Sequence, residues 1–377
     1  MISAYYKKIY DEFIEKYEEI HVCPWHEISR SELDKISAQL IDTMDISDEY
    51  SFKYFIDFLI KRLSGATDAH TKYPKIDPIP LNFRIFGDDV LVNWPDELKG
   101  GELIAINDVA NSAVTRELEN IITYGTDGWR RFKLEEALFN KFTMFGLPSF
   151  RKAESLTYKI RNIDGKICEK TFQKIGYYSE IFDRDEYYYG KNAKYRIVEN
   201  CLIYHHTSCN NRFKEAIERA INQLRAADLS KIDKIIIDIR GNTGGNASLN
   251  QILMDFLAEQ RDKKLICLTD YRVFSGGRFA LRDLLDLGAT AIGEEIGTPL
   301  NCFGNSKWIN LGEHYFSISE RYFNPILDLC ARDKAEYLAM PGKAKESMIF
   351  QPEISVSQAK VDYLCGKDAI LARALEF

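Results

Sequence analysis

Ser275 ends the stretch Lys264-Leu-Ile-Cys-Leu-Thr-Asp-Tyr-Arg-Val-Phe-Ser275 and is followed by Gly276 and Gly277. A serine hydroxyl is a weak nucleophile until a base takes its proton and the oxyanion of the tetrahedral intermediate is held. Gly276 can supply one N–H to that oxyanion without crowding a substrate. A second glycine turn, Arg240-Gly-Asn242-Thr-Gly244-Gly245-Asn246, follows the apolar run Lys234-Ile-Ile-Ile-Asp238 and opens a helical pattern at Leu249, Ile252, Leu253, Phe256 and Leu257. A strand that ends in glycines at a helix start exposes amides to developing negative charge, so Gly244 and Gly245 are candidate backbone donors. Phosphate is a poor fit, because a Walker-type loop continues Gly-Lys-Ser/Thr and here Asn246 follows Gly245. The serine also lacks the leading glycine of the Gly-x-Ser-x-Gly elbow, which argues against an ordinary α/β-hydrolase. Asp238 and Arg240 read as an ion pair that fixes the turn. Acyl transfer is the chemistry these residues fit.

Six histidines are available as bases. His70, in Asp68-Ala-His70-Thr71, lies just past a helix end in a polar turn, where a side chain can face a cleft. His21, His26 and His314 have no supporting sequence context. His205 and His206 fall between Cys201 and Cys209, but that spacing matches none of the common zinc patterns, so no metal is expected.

These residues need elements to position them. Residues 1–75 carry apolar side chains at helical spacing (Tyr6, Ile9, Phe13, Tyr17; Phe52, Phe55, Ile56, Leu59, Leu63) and end at Gly65 and Pro74. From 76 to 150 short strands give way to helices, the first from about Val114 to Ile122 and others over 126–150. Residues 155–174 read as a hairpin turning at Asp164-Gly165. The polar, tyrosine-rich stretch from Asp183 to Lys194 reads as a surface loop or linker. From about 195 strands and helices alternate, the signature of an α/β layered domain. Three regions are expected: 1–75, 76–150 and 151–377.

Bulk properties exclude several classes. With 377 residues, 45% hydrophobic and 28% charged, the chain has the composition of a globular protein of more than one core. A formal net charge of -7 without a basic cluster argues against a nucleic-acid partner. No run approaches the ~18 apolar residues of a membrane span. The first residues have no apolar signal-peptide core, although a chain trimmed of its leader would look the same. The eight cysteines are scattered without a CxxC pair, as expected of small buried hydrophobes in a reducing, cytoplasmic setting.

With these pieces in order, the chain resembles the serine peptidase family of the tail-specific (C-terminal processing) and tricorn proteases. The resemblance rests on Asp238-Ile-Arg240-Gly-Asn242-Thr-Gly244-Gly245, the serine strand ending at Gly277, and the following Ala289-Thr-Ala-Ile-Gly293. It extends to Gln351-Pro352-Glu353-Ile, with Glu353 where aspartate is usual, and to Gly366-Lys-Asp368-Ala-Ile-Leu371. Leu81 to Ile122 resembles a degenerate PDZ-like module. The resemblance implies an α/β fold with a crotonase-like ββα catalytic core, an N-terminal helical region and a PDZ-like α+β module. It also implies a serine endopeptidase acting on peptides or proteins without a cofactor. Tail-specific members use a Ser–Lys dyad, but no lysine occurs between Ser275 and Lys307. Tricorn-like members use a histidine from an upstream Asp-x-His-Thr element, oriented through a serine and a glutamate. Carried over, His70 is the base, Glu346 the glutamate, and Gly276 with Gly244 or Gly245 the oxyanion hole, while Ala69 replaces the auxiliary serine. Retinoid-binding relatives make a lapsed enzyme that holds a peptide or apolar ligand the alternative.

Overall fold

The structure, a computed structural model, describes residues 1–176, 178, 183 and 190–377. Half of the tyrosine-rich stretch expected as a surface loop or linker, residues 184–189, lies outside the described residues. The chain forms two compact units, residues 1–182 with 301–347 and residues 183–300 with 348–377.

The first unit begins with three helices, α1 (Ala4–Ile20), α2 (Arg30–Thr43) and α3 (Glu49–Ser64). Ser3 caps α1 by accepting the N–H of Tyr6, and Tyr6, Ile9, Tyr10, Phe13, Ile14 and Tyr17 form its buried stripe. Reciprocal capping by Ser29 and Glu32 starts α2, and Asp48 with Ser51 starts α3. Gly65, at φ 55, stops α3 immediately before the His70 turn. A six-stranded sheet follows, made by β1 (Asn82–Phe86), β2 (Asp89–Trp94), β3 (Glu102–Ile106), β4 (Val109–Ala110), β5 (Ser155–Arg161) and β6 (Ile167–Gln173). Helices α4 (Asn111–Glu119), α5 (Asp127–Leu138) and α6 (Lys141–Gly146) lie between β4 and β5 in sequence. The expected boundary at 150 is not where the units divide. β5 pairs antiparallel with β3, so the expected hairpin completes the sheet begun upstream.

The segment 301–347 also departs from the expected division, because it belongs to the first unit. Its strands β12 (Cys302–Leu311), β13 (His314–Asn324) and β14 (Leu329–Ala331) form an antiparallel sheet. The β12–β13 turn pairs Leu311 with His314 across Gly312 at φ 60, the left-handed position that glycine fills without strain. The ring of Phe13 on α1 stacks on that of Phe316, centroids 4.7 Å apart.

The second unit has the alternating strands and helices expected from about residue 195. β7 (Tyr195–Val198), β8 (Cys201–His205), β9 (Lys234–Asp238), β10 (Lys264–Thr269), β11 (Thr290–Gly293) and β15 (Ile354–Ser355) form a sheet of order β15-β11-β10-β9-β8-β7. It is parallel from β8 to β15. Helices Lys214–Ala226, Asn250–Ala258 and Gly276–Asp286 make the crossovers. That is why Ile235, Ile236 and Ile237 are all buried rather than alternating. Glu353 accepts the N–H of Ala291 at 2.9 Å and so seats the edge strand β15. Asp238 and Arg240 form the expected ion pair, and Arg240 also forks onto Asp368, the N-cap of the closing helix Ala369–Glu376. Burial alone would raise the Asp238 carboxyl, yet Arg240 and His205 hold it well below the usual range. Arg240→Met would leave Asp238 buried without its main counter-charge. We expect a loss of about 3 kcal/mol in urea unfolding, and a change below about 1 kcal/mol would contradict this role.

Candidate active site

The serine and the glycines expected to hold an oxyanion all fall in the second unit, at the ends of adjacent parallel strands. β9 leads into the turn 240–246 and β10 leads through 270–274 to Ser275. Two contacts lock the turns together. Asp270 accepts the N–H groups of Gly241 at 2.8 Å and Arg272 at 3.0 Å. Phe274 donates its N–H to the carbonyl of Asn242 at 2.9 Å. The half-buried Ser275 then sits at φ 49, ψ -120, directly before the helix Gly276–Asp286. A non-glycine residue in that region costs on the order of 1–3 kcal/mol and persists only where its surroundings over-determine it.

The glycines are required by close approach. A Cβ on Gly244 (φ 101) would lie 2.5 Å from the nitrogen of Gly276 and 2.6 Å from Cβ of Ser275. One on Gly245 (φ 125) would lie 2.4 Å from the carbonyl oxygen of Cys209. The turn is held from behind by a buried polar cluster. Asn242 donates to the carbonyl of His206 at 2.8 Å and accepts the N–H of Gly244 at 2.9 Å. Asn250 Oδ1 lies 2.9 Å from His206 Nε2 and accepts the Cys209 thiol at 3.1 Å. Burial pushes the Cys209 thiol up to about 12 and lowers the basicity of His206, so both are neutral packing partners at pH 7. Among the described residues no group of three or more His, Cys, Asp or Glu side chains could hold a metal ion.

This geometry separates the two candidate glycine donors. The N–H of Gly244 is already committed to Asn242. Among the described residues, the N–H groups of Gly245 and Gly276 have no hydrogen-bond acceptor. Gly245 is exposed, and its nitrogen lies 3.1 Å from where a Cβ on Gly276 would stand. Two unsatisfied amides therefore flank the serine, supplied by Gly245 and Gly276.

His70 and Glu346 belong to the first unit. Past Gly65, the His70 turn is built around Asp68. One carboxylate oxygen accepts the N–H groups of His70 (3.1 Å) and Thr71 (3.0 Å) and the hydroxyl of Ser319 (2.6 Å). The other lies 3.2 Å from His21 Nε2, while His21 Nδ1 accepts the N–H of Cys23. This assigns the Nε2–H tautomer to His21. Burial would raise the Asp68 carboxyl, but the hydrogen bonds from His21, Ser319 and Thr71 hold it well below the usual range. The carbonyl of His70 accepts the Ser317 hydroxyl at 2.8 Å. Its ring lies against Gly304, where a Cβ would come within 3.3 Å of the imidazole. Glu346 follows the short helix Gly342–Lys345, is exposed, and offers its carbonyl to Asn301 Nδ2 at 2.7 Å. His21 and Ser319 had no signal in the sequence, because both meet Asp68 only through tertiary packing. The eight cysteines are free thiols, and no helix among the described residues is long and apolar enough to cross a membrane.

No family model matches the chain, and no curated protein matches its sequence. Among solved structures, mature CPAF complexed with lactacystin aligns with TM-score 0.66 and 12% identity, over 99% of this chain and 100% of that one. A crystal structure of a CPAF point mutant aligns with TM-score 0.62 and 13% identity, over 96% and 94%. The tricorn protease also aligns, with TM-score 0.43 and 13% identity over 99% of this chain and 37% of that one, a score too low to carry an argument. At these identities the likeness to CPAF shows a shared fold.

Gly244→Ala should displace the Ser275–Gly276 backbone, through both the 2.5 Å clash and the positive φ. We expect a fall of at least about 100-fold in serine reactivity towards a fluorophosphonate, comparable to loss of an oxyanion donor; reactivity within threefold of wild type would contradict it. A second expectation concerns the first unit. Burial, and then the neighbouring His21, lowers the basicity of His26 to a pKa of about 4. The folded state therefore refuses a proton that the unfolded chain takes up near pH 6.5, so His26 costs nothing above that pH. Between pH 6.5 and 4 it should remove about 1.4 kcal/mol of stability per pH unit. Urea unfolding of wild type and His26→Phe across this window would measure it, and equal slopes would contradict it.

Proposed function

We propose that the chain is a serine endopeptidase of the tail-specific and tricorn family, in the branch that lacks the catalytic lysine. In this reading the second unit is a crotonase-like ββα core and the sheet β1–β6 with α4 is a PDZ-like module. The observation that carries the reading is the backbone of Ser275. Its φ 49, ψ -120 turn places the side chain at the start of a helix, beside two unsatisfied amides. Such strain is stored where a side chain must be presented for reaction. The CPAF-like fold and the Asp68-Ala-His70-Thr71 element support the same reading.

The proposed mechanism follows from these groups. His70 takes the proton of Ser275 as its Oγ attacks a peptide carbonyl, and the oxyanion is held by the N–H groups of Gly276 and Gly245. His70 then gives the proton to the leaving amine, and water repeats the sequence on the acyl-enzyme. Glu346 is assigned the orientation of the imidazole. Gly244 acts by shape, letting the two turns meet. The substrates are peptides or proteins, the proposed steps need no cofactor, and the free cysteines fit a cytoplasmic setting. A binding protein would carry the strain at Ser275 without return, which disfavours the lapsed alternative.

A fluorophosphonate probe tests the reading, with the labelled peptide located by mass spectrometry. Labelling is expected at Ser275, lost in Ser275→Ala and slowed by ~10²–10⁴-fold in His70→Ala. Labelling that survives Ser275→Ala would overturn the scheme, and an undiminished rate in His70→Ala would overturn the base.

A further inference from the structure

Arg278 lies one helical turn after Ser275 and is 1% exposed, one of the largest fully buried side chains in the protein. An arginine cannot shed its charge at any ordinary pH, and burying it is expensive unless it is paired. Among the described residues Arg278 has no carboxylate partner. Its guanidinium instead donates to three carbonyls, those of Leu300 at 2.6 Å, Pro299 at 3.2 Å and Ser275 at 3.4 Å. The Ser275 carbonyl also accepts the backbone N–H of Arg278 at 3.1 Å.

The Ser275 carbonyl and the Gly276 N–H are two ends of one peptide group. Drawing electron density towards the carbonyl oxygen makes the N–H at the other end a stronger donor, because hydrogen bonds in a chain polarise one another. The second amide is treated alike: Gly244 C=O, on the same peptide as Gly245 N–H, accepts the N–H of Cys209 at 2.9 Å. Only the Ser275 peptide, however, has a fixed positive charge at its carbonyl, in surroundings where burial weakens dielectric screening.

We propose that Arg278 is a positioning residue of the oxyanion hole, holding the Ser275–Gly276 peptide in its strained orientation and polarising its N–H towards the developing oxyanion. This rests on the peptidase reading above. Arg278 does not touch the reacting atoms, so its loss acts on the charged transition state and leaves ground-state binding of a neutral ligand nearly unchanged.

Labelling with a fluorophosphonate separates these effects. The Oγ–P bond forms as the Oγ proton passes to the proposed base His70 and fluoride leaves, and negative charge builds on the phosphoryl oxygen in the transition state. The first-order labelling rate reports the transition state, and the half-saturating probe concentration reports ground-state binding. Arg278→Met is expected to lower the rate by roughly 10–100-fold, short of the loss of a whole donor, with half-saturation within about twofold. Arg278→Lys keeps a charge at the Ser275 carbonyl and should restore the rate to within about threefold of wild type. A rate in Arg278→Met equal to wild type overturns the proposal. So does an equal defect in Arg278→Lys with an unchanged melting temperature, or an effect confined to half-saturation. If Arg278→Met does not fold, Arg278→Lys alone decides, because a folded lysine variant slowed more than about tenfold contradicts a charge effect. A wild-type chain that is never labelled would contradict the peptidase reading itself, which is a separate outcome.

Discussion

The close approach of two backbone turns is the constraint on which the candidate site depends. Gly244 and Gly245 come so near Ser275, Gly276 and Cys209 that side chains at either glycine would overlap main-chain atoms. That approach leaves the amides of Gly245 and Gly276 unsatisfied beside the Ser275 turn, where water or a ligand oxygen must serve them. It also explains how a serine can stay at φ 49. Asp270 fixes the start of one turn from the other, Asn242 holds both through its carbonyl and its side chain, and Arg278 grips the carbonyl of Ser275 itself. The strain is local, and the parallel sheet that opposes it is buried on both faces.

The histidine turn in the first unit solves a related problem with a carboxylate. Asp68 gathers two backbone N–H groups, a serine hydroxyl and an imidazole, all in a buried position. A buried carboxylate with this many donors has little freedom to move, and its loop inherits that rigidity. Gly304 then gives the imidazole of His70 a flat surface on which to rest. In both units, short polar side chains working on the backbone hold the candidate residues in place, and apolar bulk supports them.

Much of this was legible in the sequence because it depends on local pattern. Helical spacing marked α1 and α3, Asp164-Gly165 marked the β5–β6 hairpin, and the apolar run before Asp238 marked a buried strand. The glycines at 244 and 245 announced an unusual turn. Their division of labour was hidden, because it depends on which amide Asn242 captures, a matter of ångströms. The membership of residues 301–347 was hidden for another reason. β12 and β13 pair mainly with each other, so their alternation carries no address for the unit they join. The roles of His21 and Ser319 depend on a carboxylate distant in sequence, and the carbonyls of Pro299 and Leu300 that hold Arg278 lie more than twenty residues away from it.

The central claim is that Ser275 is a nucleophile whose oxyanion is held by Gly245 and Gly276. A crystal structure of the chain bound to a peptide boronate tests it most directly. The account predicts a covalent bond from Ser275 Oγ to boron and one boronate oxygen within about 2.7–3.1 Å of both amide nitrogens. A boronate that bonds elsewhere, or whose oxygen turns away from the two glycines, would contradict it.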